Sequence, residues 1–559
     1  MRLNKIDSFK GGILMNRYCI SILSLAIFII ASSAIQKEDE RQQQGSQITT
    51  EFFNPYENVD WNKFEHLHSF SHQHGNSVSA EKFLDMGFRH LPFSNYYPSA
   101  PTPLSLKFRE KHPDALWAPN AEQHSAFGVG HFNVIDSYYS TGHGQGANIS
   151  YRKNRTSPIE YEFSGLNVYN PEKPWLSIYW LDLRISGKDE AVILITLEGA
   201  CKVNPTTYEV VKDGDIKDSS IPAKSRAIYI RAESDKVKVR LDFNPDEISD
   251  VSLVIRQGVH RPWKDAFRAA LDGTLKDKEG NPIEGLRFSD GGGITLNHTG
   301  GPVNSVLEKL RFDSRVLGIE VWNQHYAFGP KGSLAFYNLW DEVLKTGTRC
   351  FGFFVKDHFI YERGRNVLLV PSPEKLTIAE REHNCSRAYR NGTFYGLIGA
   401  LAVDEKGQKT PPYDYSSFRF TQIILRKNSK GIPETIEVSV DGADKTKRPN
   451  TQIRFITEKG ISMVENSSHA FYKLTKDAGG NVLEKYVRIE AFAYPSTYLK
   501  DKPLTAEILA KMNVLEISRL HDNTGGGYSE TVDFDKGKEV PIPIVDMLFS
   551  QPIMFNKQP

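Results

Sequence analysis

The chain has 559 residues, 39% of them hydrophobic and 25% charged, a balance usual for soluble globular proteins and a length beyond one ordinary domain. Its 69 basic and 68 acidic side chains leave a formal charge of +1, which excludes a bulk field that would recruit nucleic acid or an anionic membrane. An anionic substrate must be caught locally.

The first element in chain order is the apolar run YCISILSLAIFIIASSA (18–34), which follows Arg17 and ends in small residues before QKEDERQQQ. It has the form of a signal peptide over residues 1–35, followed by a polar tether at 36–52. The expectation is a secreted or periplasmic protein without stable membrane association after cleavage; the alternative is an N-terminal membrane anchor. Cys201, Cys350 and Cys385 then remain, too few and too scattered for a disulfide framework.

Residues 53–156 mix aromatics with histidines and carry one helical stretch, SAEKFLDMGF, leading to the apolar HLPF. Residues 157–258 show short alternating segments, among them AVILITLEG, RAIYIRA and KVKVRLDF, and predict an inserted β-rich domain. From 259 to 411 helix and strand alternate through WKDAFRAAL, GGITLNHTG, VNSVLEKLRF, VLGIEVWN, LAFYNLWDEVLKTG and CFGFFVKDHF. That rhythm predicts parallel strands whose C-terminal ends bring distant polar residues to one rim. From 412 to 559 the pattern returns to β, with FRFTQIILRK, TIEVSVDG and KYVRIEAFAY, and predicts a C-terminal β-sandwich-like domain.

The histidines concentrate in FEHLHSFSHQHG (64–75). His66 and His68, on alternate residues of an extended segment, face one side and can grip one ion. The SHQHG half reads equally well as a solvated loop. Glu122, His124 and His131 follow in NAEQHSAFGVGHF, His298 closes GGITLNHTG, and Asp357 with His358 closes CFGFFVKDHF. A carboxylate that can bridge ions, flanked by histidines, is the donor set of a multinuclear hydrolytic centre.

Taken in order, these motifs resemble the PHP (polymerase and histidinol phosphatase) superfamily of metal-dependent phosphoesterases. The resemblance implies an α/β fold, a distorted (β/α)7 barrel split by the β-rich insertion and followed by the C-terminal β domain. It implies His66-Leu67-His68 as the opening His-x-His, His74 near a third-metal position, Glu122 as the bridging glutamate, and His131, His298 and Asp357 as further ligands. Two divalent ions, zinc, manganese or iron, would activate a water for attack on the phosphorus, with a carbonyl as the alternative, of a small phosphoester or a phosphorylated or carbohydrate substrate. His74, His124 or His358 would act as general acid or bind the substrate.

Two departures bear on that reading. Ser94-Asn95-Tyr96 stands where the family has Thr-Asp-His, and Lys356 holds the aspartate position of the closing Asp-x-His. Either Asp357 takes over as ligand or an ammonium faces the first metal, which is unfavourable. The second reading is therefore an eroded barrel that binds a polysaccharide or protein, helped by Trp61, Tyr96 and Tyr97.

Overall fold

A computed structural model describes residues 52–555 apart from 96–100, 102, 124–125, 128, 141–148, 153–156, 173, 189–190, 205–206, 212–225, 258–260, 274–283, 324–333, 359–363, 400–416, 499–501, 521–526, 530–538 and 542–543. The signal peptide and nearly all of the tether lie outside the described residues, as do His124, Tyr96 and Tyr97. No helix among the described residues is long and apolar enough to cross a membrane.

The chain is mixed α/β and mostly strand. The site-bearing elements begin with β1 (Phe64–Ser69), α1 (Ser77–Asp85), β2 (Phe88–His90), α2 (Leu106–Lys111), β3 (Glu122–Gln123) and β4 (Phe132–Ile135). They resume after the insertion with α3 (Trp263–Asp272), β5 (Gly293–Leu296), α4 (Val303–Leu310), β6 (Val316–Asn323), α5 (Tyr337–Lys345), β7 (Phe351–Val355), β8 (Gly364–Pro371), α6 (Ile378–Asn391) and β9 (Phe394–Ile398).

Local chemistry accounts for these boundaries. Asn76 caps α1 through the Val78 and Ser79 amides, and Thr377 with Glu380 forms a capping box on α6. Gly392 ends α6 at φ 70°, a left-handed conformation that glycine adopts without strain. Helix α5 buries Tyr337, Trp340, Val343 and Leu344, of which Val343 and Leu344 are each worth about 1.5–3 kcal/mol when taken fully from water. All eight residues of β6 are buried, as befits a central parallel strand covered on both faces. A Cβ at Gly318 would lie 1.9 Å from the Phe351 carbonyl, so only glycine lets β6 approach β7 there.

Strands β5, β6 and β7 pair in parallel with α4 and α5 as their connections, as the helix–strand rhythm predicts. Strands β4 and β3 extend this sheet in antiparallel sense. In a second sheet β1 runs parallel to β2 and antiparallel to β8, which pairs with β9. At the rim beyond the C-terminal ends of β1, β5, β6 and β7, backbone hydrogen bonds return on themselves. Gln73 bridges to Asp357, the Gln73 carbonyl accepts from the Ser94 amide (2.8 Å), and the Ser94 carbonyl accepts from the Glu122 amide (3.1 Å). The β3–β4–β5–β6–β7 ladders then lead back to Asp357. Three joints of this circuit are isolated bonds and not ladders.

The described strands between residues 149 and 257 form two antiparallel sheets with their own core. KVKVRLDF shows the reason: Val237, Val239 and Leu241 are buried while Lys236, Lys238 and Arg240 are exposed.

The strands after residue 412 do not stand apart. Asp546–Ser550 pairs on one side with β9 and on the other with Tyr486–Tyr494, and Asn450–Thr457 and Gly460–Glu465 continue the same sheet. A three-stranded sheet of Arg419–Lys427, Pro433–Asp441 and His469–Lys473 shares a hydrophobic cluster with it, joining Phe420, Ile436 and Val438 to Val367 and Tyr395. The sandwich expected after 412 thus has one sheet in common with the site-bearing half. Alternation reveals that a strand is half-buried, not which strand it pairs with.

Candidate metal centre

Beyond the end of β1 the chain continues through His72-Gln73-His74, pinned between neighbours. The Asp357 amide donates to the His72 carbonyl (3.1 Å) and the His74 amide to the Asp357 carbonyl (2.9 Å). In an extended segment alternate side chains share a face, so both imidazoles turn the same way. His72 is fully buried.

Two groups of donors meet at Glu122. In the first, His72 Nε2 lies 3.2 Å from Glu122 Oε2, 3.4 Å from Asp357 Oδ1 and 3.3 Å from His74 Nε2. His74 Nε2 is 3.1 Å from Glu122 Oε2 and 3.5 Å from Asp357 Oδ1. In the second, Glu122 Oε1, His131 Nδ1 and His298 Nε2 form a triangle with sides of 3.0, 3.2 and 3.2 Å. Glu122, about 1% exposed, thus turns one oxygen to each group.

These separations fit metal ions. A tetrahedral site with bonds of about 2.1 Å has ligand–ligand edges of about 3.4 Å. Asp357 Oδ1 is buried near three imidazole nitrogens, those of His72, His74 and His358, yet forms a hydrogen bond to none, as expected of donors facing a common centre. Glu122, Glu320 and Asp357 are three carboxylates within this buried network, a concentration of negative charge that is costly without protons or cations to balance it.

A surrounding shell fixes the donors. Glu320 Oε1 accepts from His72 Nδ1 (2.7 Å), which points the Nε2 lone pair into the centre. Its other oxygen accepts from the His298 amide (2.6 Å) and from Asn323 Nδ2 (2.9 Å). Asn323 also donates to Asp357 Oδ2 (3.2 Å). Asn297 Nδ2 donates to Glu122 Oε1 (3.2 Å) and Asn133 Oδ1 (2.7 Å), which orients the shared carboxylate. His298 and Asp357 have φ of 27° and 61°, so both are carried on left-handed turns immediately past their strands.

The electrostatics follow from this packing. Burial works against a charge on His72, but the surrounding Glu122, Asp357 and Glu320 outweigh it and hold the pKa well above the ordinary histidine value. Burial is likewise overcome at His298, where the hydrogen bond to Glu122 and the charge of Glu320 raise the pKa. At His74 burial prevails and lowers it. Burial would raise the Asp357 pKa, yet the facing His72 leaves it lowered. A cation arriving at the centre takes the place of such protons.

The structure brings together Glu122, His131, His298 and Asp357 with His74 and His358, whose rings stack at 4.3 Å between centroids. His66 and His68 are elsewhere. His66 Nδ1 meets the Tyr395 hydroxyl (2.9 Å), and His68 Nδ1 meets the Arg365 guanidinium (3.0 Å). They belong to the body of β1: His66 is six residues before His72, about 20 Å of extended chain. Arg365 beside His68 would further repel a cation. Lys356 does not set its ammonium against the centre; it lays its Nζ over the Phe88 ring (4.9 Å), while Asp357 faces the donors. Sequence reasoning misses His72 and Glu320 as functional residues. The repeat of His-x-His within FEHLHSFSHQHG is the available signal for His72, and the Glu320 carboxylate within the apolar run VLGIEVWN is the signal for that residue. No protein family matches this chain, and no curated protein matches it.

Proposed function

We propose that the protein is a metal-dependent hydrolase of small phosphoesters, built on a distorted PHP-like barrel, in which His72, His74, Glu122 and Asp357 on one side and Glu122, His131 and His298 on the other would hold divalent ions. The observation that carries the proposal is the division of the Glu122 carboxylate, one oxygen toward His72, His74 and Asp357 and the other toward His131 and His298. The hydrogen-bond circuit at the rim and the parallel β5–β6–β7 unit support the barrel. Divalent ions would supply Lewis acidity, lowering the pKa of a coordinated water and offsetting charge that develops on a phosphoryl group. The chain's own residues prepare the site for this. Glu320 fixes the His72 tautomer, Asn297 holds the shared carboxylate, and Asn323 steadies Asp357. His74 faces the ligand group, which leaves His358, a quarter exposed, to deliver a proton to the leaving oxygen. The apolar run at 18–34 supports export, which N-terminal sequencing of the exported protein would test.

The decisive experiment combines metal analysis with phosphatase assay. Purified protein should carry up to two equivalents of zinc, manganese or iron, and hydrolyse a generic phosphoester at a rate that a chelator abolishes and added metal restores. Glu122→Gln should lower metal content and remove activity while the fold persists. Protein that neither binds these metals nor cleaves phosphoesters would overturn the proposal and favour the polysaccharide- or protein-binding barrel.

A further inference from the structure

A cavity of about 240 Å³ opens beside His131 and His298, between the loop that follows β5 and helix α4. It is smaller than the roughly 300–1,000 Å³ of pockets that enclose drug-sized ligands, so it suits a unit of a few carbons. Its lining includes the apolar Leu296 and Val306, the hydroxyl-bearing Thr299 and Ser305, and Lys309. Lys309 is only 5% exposed. Burying an ammonium is costly unless anionic or hydrogen-bonding partners compensate. Its partners are the neutral Ser305 Oγ at 3.1 Å, the half-exposed Glu308 carboxylate at 3.5 Å, and the face of Trp263 at 5.0 Å. A screened surface carboxylate compensates weakly. Lys309, a lining residue whose Nζ lies against the hydroxyl of another lining residue, Ser305, is thus a weakly compensated buried cation at a cavity whose lining also includes two candidate metal ligands.

We propose that this cavity receives the organic part of the substrate and that Lys309 selects phosphoesters carrying a second anionic group there. The proposal rests on the phosphoesterase reading and narrows it to a substrate class: small phosphoesters with a carboxylate or further phosphate a few carbons from the scissile group. Lys309 is then a specificity residue. The competing role is structural, with the aliphatic stem packing on Trp263 while the ammonium reaches for the surface.

The test uses two phosphonates that no phosphatase cleaves, propylphosphonate and 3-phosphonopropionate, of similar size and differing by one carboxylate. Calorimetry on the metal-loaded full chain should show 3-phosphonopropionate binding about 10-fold tighter or more, roughly the difference expected of one charge-assisted hydrogen bond. K309M keeps the stem and removes the charge; it should abolish the preference, leaving propylphosphonate affinity, metal content and melting temperature unchanged. K309R should retain a preference. Equal affinities in the wild type, or a preference that survives K309M, would overturn the proposal. The wild-type comparison needs no variant, so a K309M chain that failed to fold would not rescue it. Failure of the phosphoesterase reading is a separate result, read as absence of phosphoester hydrolysis by the loaded protein.

Discussion

Within ten residues the chain presents two His-x-His pairs with identical spacing and opposite surroundings. His66 and His68 lie in the ladder of β1, where the charges acting on them are cations, Arg419 on His66 and Arg365, Arg89 and Lys356 on His68. Burial and those cations push the His66 pKa down to about 4 and that of His68 well below the ordinary value. His72 and His74 lie just past the strand, among Glu122, Glu320 and Asp357, and the carboxylates raise the His72 pKa. The imidazole pair itself therefore carries little information. Its position relative to the strand end decides which charges surround it, and those charges decide whether it suits a structural contact or a cation.

The largest expected effect separates the pairs directly. His72→Ala should weaken metal binding by at least about 100-fold, since it removes a donor where loss of an outer partner already costs about 10–100-fold. His68→Ala should leave metal content unchanged while lowering the melting temperature. Metal titration with a competing chelator measures both, and equal loss of metal in the two variants would erase the distinction between the pairs. Next, His358→Ala should cut turnover by about 100-fold or more with metal content retained, the signature of a lost proton donor. Burst-free steady-state rates on a poor leaving group would show it best, because a good leaving group needs no proton. Glu320→Gln should cost about 10–100-fold in metal affinity by loosening the His72 orientation.

The smallest effect is on stability. The folded pKa of His66 lies below its unfolded value of about 6.5, so its contribution is fully present above that pH and is lost as pH falls toward about 4. The loss is at most about 3 kcal/mol and less for the water that reaches the ring. His66→Gln should flatten this acid limb in denaturant titrations between pH 7 and 4. An unchanged limb would place the titration on other groups.

Much of the arrangement is legible in the amino-acid sequence. The parallel β5–β6–β7 unit follows from the helix–strand rhythm of 259–411, and His298 and Asp357 fall at strand ends because polar residues close apolar runs there. Glu122, His131 and His298 group together although the insertion separates them. Which His-x-His joins the candidate centre is not legible, because strand β1 ends at Ser69 by virtue of its pairing with β8 and nothing in FEHLHSFSHQHG marks that limit. The choice between Lys356 and Asp357 is equally hidden: it depends on a backbone φ of 61° that turns the carboxylate inward and leaves the ammonium on an aromatic face. Glu320 sits in a strand that is apolar almost throughout, where periodicity marks burial but not a network partner. The joining of the late strands to β9 is a long-range pairing that composition and alternation do not encode.

That late pairing has a consequence for biosynthesis. Tyr395 in β9 pairs with Ser550, and Asp546–Ser550 lies between β9 and Tyr486–Tyr494 in the large sheet. On the ribosome β9 emerges long before the strand that must sit beside it, so its edge stays open through the synthesis of more than a hundred residues. An open edge of buried, apolar residues such as Phe394–Ile398 invites pairing with the wrong strand or another chain. Every candidate ligand has by then been synthesised, so the exposure falls on the edge of β9 and not on the donors themselves, and slowing synthesis between residues 398 and 546 should raise aggregation of the nascent chain.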